Sequence, residues 1–303
     1  MIRLKRMVFP LALLLAFPAL ASPALVSPAL AQNAAITDPP RDAANPPRPV
    51  AFVMPSPDGA GAMNALLWLA GGAGPHPTLL LFHGFPGNEQ NLDLAQAARR
   101  AGWHVLTLHY RGSWGSPGDF SFSHAAQDAH TALAWLRDPA NAARYGIDPR
   151  RIAVAGHSMG GFMASDAAAD DHAVAGLFLI DAWPIGKAGA QTATAAGLAE
   201  WRKDHTEDMP PLAGATLDGL ANEARIGAAR FDLKARVLAF GPRPLAIYGA
   251  SAALGADNLD LLNAAVQAGN GRASGGLWET DHSFSDHRIA LAAALVDWLG
   301  TLP

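Results

Sequence analysis

Gly156-His157-Ser158-Met159-Gly160 sets one serine between two glycines, each two positions away. This G-x-S-x-G spacing suits a sharp strand-to-helix turn that lifts a serine Oγ above a sheet edge. Such a turn crowds the residues two positions off, where only glycine avoids a clash. Composition alone gives about 0.1 chance matches in a chain with 30 glycines, so the flanks carry the weight. Ile152-Ala-Val-Ala155 is a short apolar run before the turn, and Ser158 to Ala169 is compatible with a helix. Acyl transfer also needs two backbone N–H groups aimed at a developing oxyanion. Met159, after the serine, is placed to give one. The other is expected from the loop after an earlier strand, His83-Gly84-Phe85-Pro86-Gly87. Phe85 is the candidate there, because Gly84 permits close approach and Pro86 has no N–H. A plain glycine-rich turn would read the same way. His83 reads as a residue that shapes this loop.

The elements that must hold these groups alternate. Ala51-Phe-Val-Met54 and Met63 to Leu69 read as strands joined at Pro57-Asp58-Gly59, an antiparallel start to a sheet. Thr78-Leu-Leu-Leu-Phe82 is wholly apolar, as in a parallel strand buried on both faces. A helix is expected over Asn88–Ala101, capped by Asn88, then a strand over Trp103–Leu108. The irregular loop from His109 to Gly118 should lie at the sheet's carboxyl edge, with Arg111 pinning it. Phe122 to Leu136 is helical; Asp128 and His130 do not face each other on it, which argues against a metal site. Tyr145 to Pro149 reads as a turn. Val174–Ile180 is a strand ending in Asp181-Ala182-Trp183. A carboxylate at that tip could reach an active-site histidine, or be an ordinary turn aspartate. Residues 185–236 carry alanine-rich helical segments interrupted by Pro210-Pro211, an insertion long enough for a helical lid. The alternative is helices that merely cover the core's edge. Arg243–Tyr248 is a strand, Asn258–Ala268 a helix capped at Asp257, and Gly276–Thr280 a short strand. It delivers Asp281-His282-Ser283-Phe284 into a loop, and Phe284–Leu299 closes the chain as a helix.

Bulk properties narrow the function. Half of the 303 residues are hydrophobic, enough for a large core in one α/β domain. The formal net charge of −4 offers no basic face for nucleic acid. With no cysteine, disulfides, a thiol nucleophile and thiolate metal sites are excluded. Met1 to Arg6 is positively charged and Met7 to Phe17 apolar but too short to span a bilayer comfortably. Small-residue cleavage sites follow at Ala19-Leu-Ala21 and Ala29-Leu-Ala31. Residues 1–31 are therefore expected to be a signal peptide, and the mature protein periplasmic or secreted with no stable membrane span. An uncleaved anchor is the alternative, disfavoured by Pro18, Pro23 and Pro28. Residues 32–50 read as a proline-rich extended linker, and 51–303 as the catalytic domain.

Phe82-His-Gly-Phe-Pro-Gly87, Gly156-His-Ser-Met-Gly160 and Thr280-Asp-His282-Ser-Phe284, in that order, resemble the α/β-hydrolase superfamily. Within it the chain looks like the dienelactone-hydrolase-like and prolyl-oligopeptidase-like esterases, with serine where true dienelactone hydrolases use cysteine. The resemblance implies a mostly parallel twisted sheet with helices on both faces and a helical lid. It also implies a triad in chain order Ser, Asp, His, with Ser158 as nucleophile and His282 as general base. The superfamily usually places the acid after the strand here read as Pro244–Tyr248, where the first carboxylate is Asp257, late in the segment. Platelet-activating-factor acetylhydrolases carry it one strand earlier in a similar Leu-Asp-Ala-Trp segment, which favours Asp181 over Asp257. The remaining histidines include His157, whose side chain is expected to point away from the site.

The expected function is an exported serine hydrolase cleaving small-molecule carboxylic esters through an acyl-enzyme, with no cofactor and no metal. Trp183 and Trp201 are candidates to line an acyl pocket. A serine peptidase or an acyltransferase would use the same residues. A catalytically silent binding protein on this fold is the alternative from another class.

Overall fold

A computed structural model describes residues 34–303; the expected signal peptide and both cleavage sites lie outside them. One eight-stranded sheet runs through the molecule in the order β1-β2-β4-β3-β5-β6-β7-β8. Its strands are β1 (Arg48–Pro55), β2 (Ala62–Leu69), β3 (His76–Phe82), β4 (His104–His109), β5 (Ile147–His157), β6 (Gly176–Ile180), β7 (Leu245–Ala250) and β8 (Ala273–Trp278). β2 pairs antiparallel with β1 and with β4; every other neighbouring pair is parallel. The sequence pattern explains the difference. β2 alternates, burying Met63, Ala65, Leu67 and Leu69 only. β6 is buried at every residue, because helices cover both faces of the central strands.

Buried side chains of α2 (Phe122–Arg137), α4 (Met159–Asp170), α7 (Leu217–Ile226), α8 (Leu233–Phe240) and α9 (Gly255–Gln267) join the core on one face. Those of α1 (Leu92–Arg100) and α10 (Arg288–Gly300) form a second core on the other. α3 (Pro139–Tyr145), capped by Asp138, leads into β5. The result is the layered architecture that the resemblance implies. Among the described residues no helix is long and apolar enough to cross a membrane.

Several element boundaries differ from the sequence reading, each for a local reason. β1 begins at Arg48, inside the expected linker; as an edge strand it tolerates Pro49, which lacks the N–H a central strand needs. Ala34 is buried, and Arg100 donates to the carbonyls of Ala34 (2.6 Å) and Ala35 (2.9 Å), so this end of the linker packs on the fold. α1 starts at Leu92, not Asn88. Asn91 precedes it with φ 56°, and its side chain makes no cap. β5 begins at Ile147, so the turn expected through Pro149 ends sooner. β8 covers Ala273–Trp278, earlier than Gly276–Thr280, and α10 starts at Arg288.

The loop after β4 is anchored from beneath. Arg111 is buried and ion-paired with Asp128 of α2 (2.6 Å) and with Asp58 (2.8 Å). The Arg111 backbone N–H also donates to Asp128 (2.8 Å). Burial raises the Asp128 carboxyl above the usual value even with Arg111 beside it. Between β6 and β7 the chain forms α5 (Ile185–Gln191), α6 (Ala195–His205), a 3-10 turn (Thr206–Asp208), α7 and α8. α8 packs against α4 and runs past residue 236.

Candidate active site

β5 ends at His157 and α4 begins at Met159, leaving Ser158 alone in the turn with φ 54° and ψ −122°. That is a conformation non-glycine residues seldom adopt. The flanking glycines make it possible. A Cβ on Gly156 would lie 2.0 Å from the Gly160 carbonyl oxygen, and one on Gly160 would lie 2.4 Å from that of Phe82. Backbone hydrogen bonds lock the turn to the next strand: Ser158 N–H donates to Ile180 O (3.0 Å), and Ser158 O accepts from Trp183 N–H (2.9 Å).

Asp181 follows β6 directly. It is fully buried with φ 42°, and its N–H donates to Tyr248 O (2.7 Å). Four donors converge on its carboxylate. Ala250 N–H reaches Oδ1 (3.0 Å), Leu254 N–H reaches Oδ2 (3.2 Å), and Asn258 Nδ2 reaches Oδ1 at 3.4 Å. The fourth is His282 Nδ1, 2.6 Å from Oδ2. A buried carboxylate needs such compensation; it comes from the end of β7, the loop after it, α9 and the loop after β8. Because a carboxylate accepts, His282 carries its hydrogen on Nδ1 and leaves Nε2 bare. The structure therefore brings Asp181 to His282. Asp257 lies in the first turn of α9, paired with Lys187.

Ser158 and His282 line one open cavity of about 520 Å³ with Phe85, Trp183, Leu254, Asp204, His205 and Asp208. Neither Phe85 N–H nor Met159 N–H has a protein acceptor among the described residues. Met159 is the first residue of α4, where N–H groups have no intrahelical partner. Trp201 is set differently from its expected place. It stacks on Trp183 (centroids 5.8 Å apart) and lines a neighbouring cavity of about 670 Å³, not the one holding Ser158. The two cavities share Trp183, Asp204, His205 and Leu254.

His83 is buried behind the loop. Its Nδ1–H donates to Gly84 O (2.8 Å), and burial pushes its pKa down to about 4. His157 does not point away from the site. Its ring packs 4.5 Å from that of His282, and its Nε2 is 2.8 Å from the His282 carbonyl oxygen. Sequence reasoning also missed Asn258 and the group Asp204, His205 and Asp208. The carboxylate Asp208 lies 2.8 Å from His205 Nδ1. No motif marks these residues: Asn258 comes from α9, and Asp204, His205 and Asp208 come from α6 and the 3-10 turn after it. Among the described residues no three His, Cys, Asp or Glu side chains converge as metal ligands.

A family model described as the alpha/beta hydrolase family matches residues 79–300. An arylacetamide deacetylase of Bos taurus is 43% identical over 61 residues; this stretch is 20% of the chain and only 14% of that protein. Among solved structures, the thermostable carboxylesterase EstE1 from a metagenomic library superposes with a TM-score of 0.60 at 20% identity, covering 92% of this chain and 96% of that one. A Pyrobaculum calidifontis esterase superposes with a TM-score of 0.57 at 18% identity, covering 82% and 84%. At such identities the likeness is one of fold.

Proposed function

Because the chain belongs to the alpha/beta hydrolase family, we propose that it is an exported serine hydrolase that cleaves carboxylic esters through an acyl-enzyme. One observation carries this reading: a bare imidazole nitrogen, fixed by the 2.6 Å bond from His282 Nδ1 to Asp181, shares a cavity with a serine held in a strained turn. Ser158 Oγ attacks the ester carbonyl while His282 Nε2 takes its proton. The tetrahedral oxyanion is held by the N–H groups of Met159 and Phe85. His282 then gives the proton to the departing alkoxide, which leaves as the alcohol. A water repeats the sequence in reverse to free the acid and restore Ser158. Asp181 keeps the hydrogen on Nδ1 and stabilises the imidazolium formed in each half.

The cavity's volume suits a small or medium acyl group, with Trp183 and Phe85 as its apolar walls. The esterase names of the structural neighbours and of the short deacetylase match support the same reaction class. The helices over residues 185–236 act as a lid in this reading, bringing His205 and Asp208 over the cleft. Residues 1–31 direct the protein out of the cytoplasm, to the periplasm or medium.

The test is labelling with a fluorophosphonate alongside turnover of p-nitrophenyl esters of increasing chain length. Wild type should label and prefer short to medium chains, and Ser158→Ala should do neither. A folded wild type that fails to label would instead favour a silent binding protein. Fractionation of the full chain and a 1–31 deletion tests export; equal cytoplasmic retention of both would refute it.

A further inference from the structure

We infer that His157 is a positioning residue, which holds the loop carrying His282 by its backbone and backs the His282 ring. The inference rests on the serine-hydrolase reading of the same site. His157 is buried at the last position of β5. Its Nε2 lies 2.8 Å from the His282 carbonyl oxygen, which can only accept. The hydrogen of His157 must therefore sit on Nε2, and Nδ1 is left as a bare acceptor. That Nδ1 is buried without a partner among the described residues. The ring centroids of His157 and His282 are 4.5 Å apart at 42°, so the same side chain supports the base from the side.

The oxyanion loop presses on this ring as well. A Cβ on Gly84 would come within 3.3 Å of His157 Nδ1 and 2.9 Å of Ser158 Cβ. Three segments thus meet on His157: the turn that carries Ser158, the Gly84–Phe85 loop and the loop of His282. An apolar ring would fill the space, but only a donor fixes the His282 carbonyl and with it the direction of the imidazole. An orphaned Nδ1 is a cost without purpose for packing alone. The ionisable groups facing His157 are His282, Arg288 and His83, all cationic when charged. Burial, above all, and the neighbouring His282 hold His157 down at about 3, so it stays a neutral donor while a nearby base takes up a proton.

Two variants separate positioning from packing. His157→Phe keeps a ring and loses the donor; His157→Gln loses the ring and keeps an amide N–H near the place of Nε2. The proposal expects kcat on a p-nitrophenyl ester to fall about ten- to a hundredfold in His157→Phe, with KM within about twofold, since sub-ångström misplacement of a base has effects of this size. His157→Gln should recover most of that loss. The downfield proton resonance of His282 Nδ1–H should shift or broaden in the Phe variant and return in the Gln variant. Wild-type kcat and an unchanged resonance in folded His157→Phe would overturn the proposal. Equal loss in both variants, tracking a fall in thermal stability, would also overturn it by assigning a merely structural role. The resonance needs no turnover. If wild type hydrolyses no ester, the serine-hydrolase reading fails, while the spectrum still decides whether His157 positions His282.

Discussion

Lowering the pH from 7.5 to 5 should cost this fold about 6 kcal/mol through three buried histidines. Burial, as the leading cause, lowers His83 and His104 from 6.5 to about 4 and His157 to about 3. Each is 3% exposed or less. The geometry agrees for His104, whose Nδ1 accepts from Ala70 N–H (3.0 Å) and whose Nε2–H donates to Tyr145 O (3.0 Å); a second ring hydrogen would oppose Ala70 N–H. Because these folded values lie below the unfolded one, the unfolded chain binds more protons between about pH 6.5 and 4, and stability falls as pH falls through that window. At pH 5 an unfolded histidine is almost fully protonated and each of these three almost fully neutral. The difference is about 2 kcal/mol per residue, with each pH unit worth about 1.4 kcal/mol. The sum is large against the ~5–15 kcal/mol that separates folded from unfolded domains. Carboxyls held low by hydrogen bonds, such as Asp148 and Asp281, act in the same direction but only below about pH 4. Urea unfolding at constant ionic strength, followed by the fluorescence of the eight tryptophans, measures the effect at pH 7.5 and 5. His104→Gln, at the end of the sheet opposite Ser158, should remove about a third of the pH dependence. An unfolding midpoint that is equal or higher at pH 5 would refute the reasoning.

Other outcomes follow from the site and its supports. Asp181→Asn should lower kcat on esters by about three to four orders of magnitude, and Asp257→Asn should leave it within severalfold; the reverse ranking would move the acid to Asp257. Asp128→Ala removes the buried carboxylate under Arg111, leaves the half-exposed Asp58 as its remaining ion-pair partner, and should cost about 3 kcal/mol in urea unfolding. A loss below about 1 kcal/mol would mean that Asp58 alone compensates the buried guanidinium. Gly160→Ala forces a methyl against the Phe82 carbonyl and should abolish soluble expression or lower the melting temperature sharply; a normal melting curve would show that the turn can widen.

The parallel core was legible because Thr78–Phe82 of β3, Ile152–Ala155 of β5 and all of β6 are short apolar or small-residue runs, as strands buried on both faces must be. The turn at Ser158 was legible because its crowding admits so few residues. Edges were harder. β1 hid in a proline-rich stretch, since an edge strand tolerates what a central one cannot. Asn88 had the residue type of a cap but not the place, because Asn91 turns the chain into α1 in a left-handed conformation. Residues such as Asn258, which orders the Asp181 carboxylate, and His157, which reaches across 125 positions to His282, act through tertiary contacts with no local periodicity. The place of Trp201 is set in the same way. Composition marked it as an apolar wall, but the path of α6 decides which cavity it walls.

The backbone at Ser158 sets an evolutionary slope. With φ 54° and ψ −122° the residue sits where any side chain beyond hydrogen is strained, by about 1–3 kcal/mol. Glycine would relax that turn and leave its backbone hydrogen bonds to Ile180 and Trp183 intact. A lineage selected for stability alone would therefore drift to glycine at position 158. Serine persists there only while something other than stability is being selected, so the occupant of this one position records whether a descendant of this chain is still under selection for its chemistry.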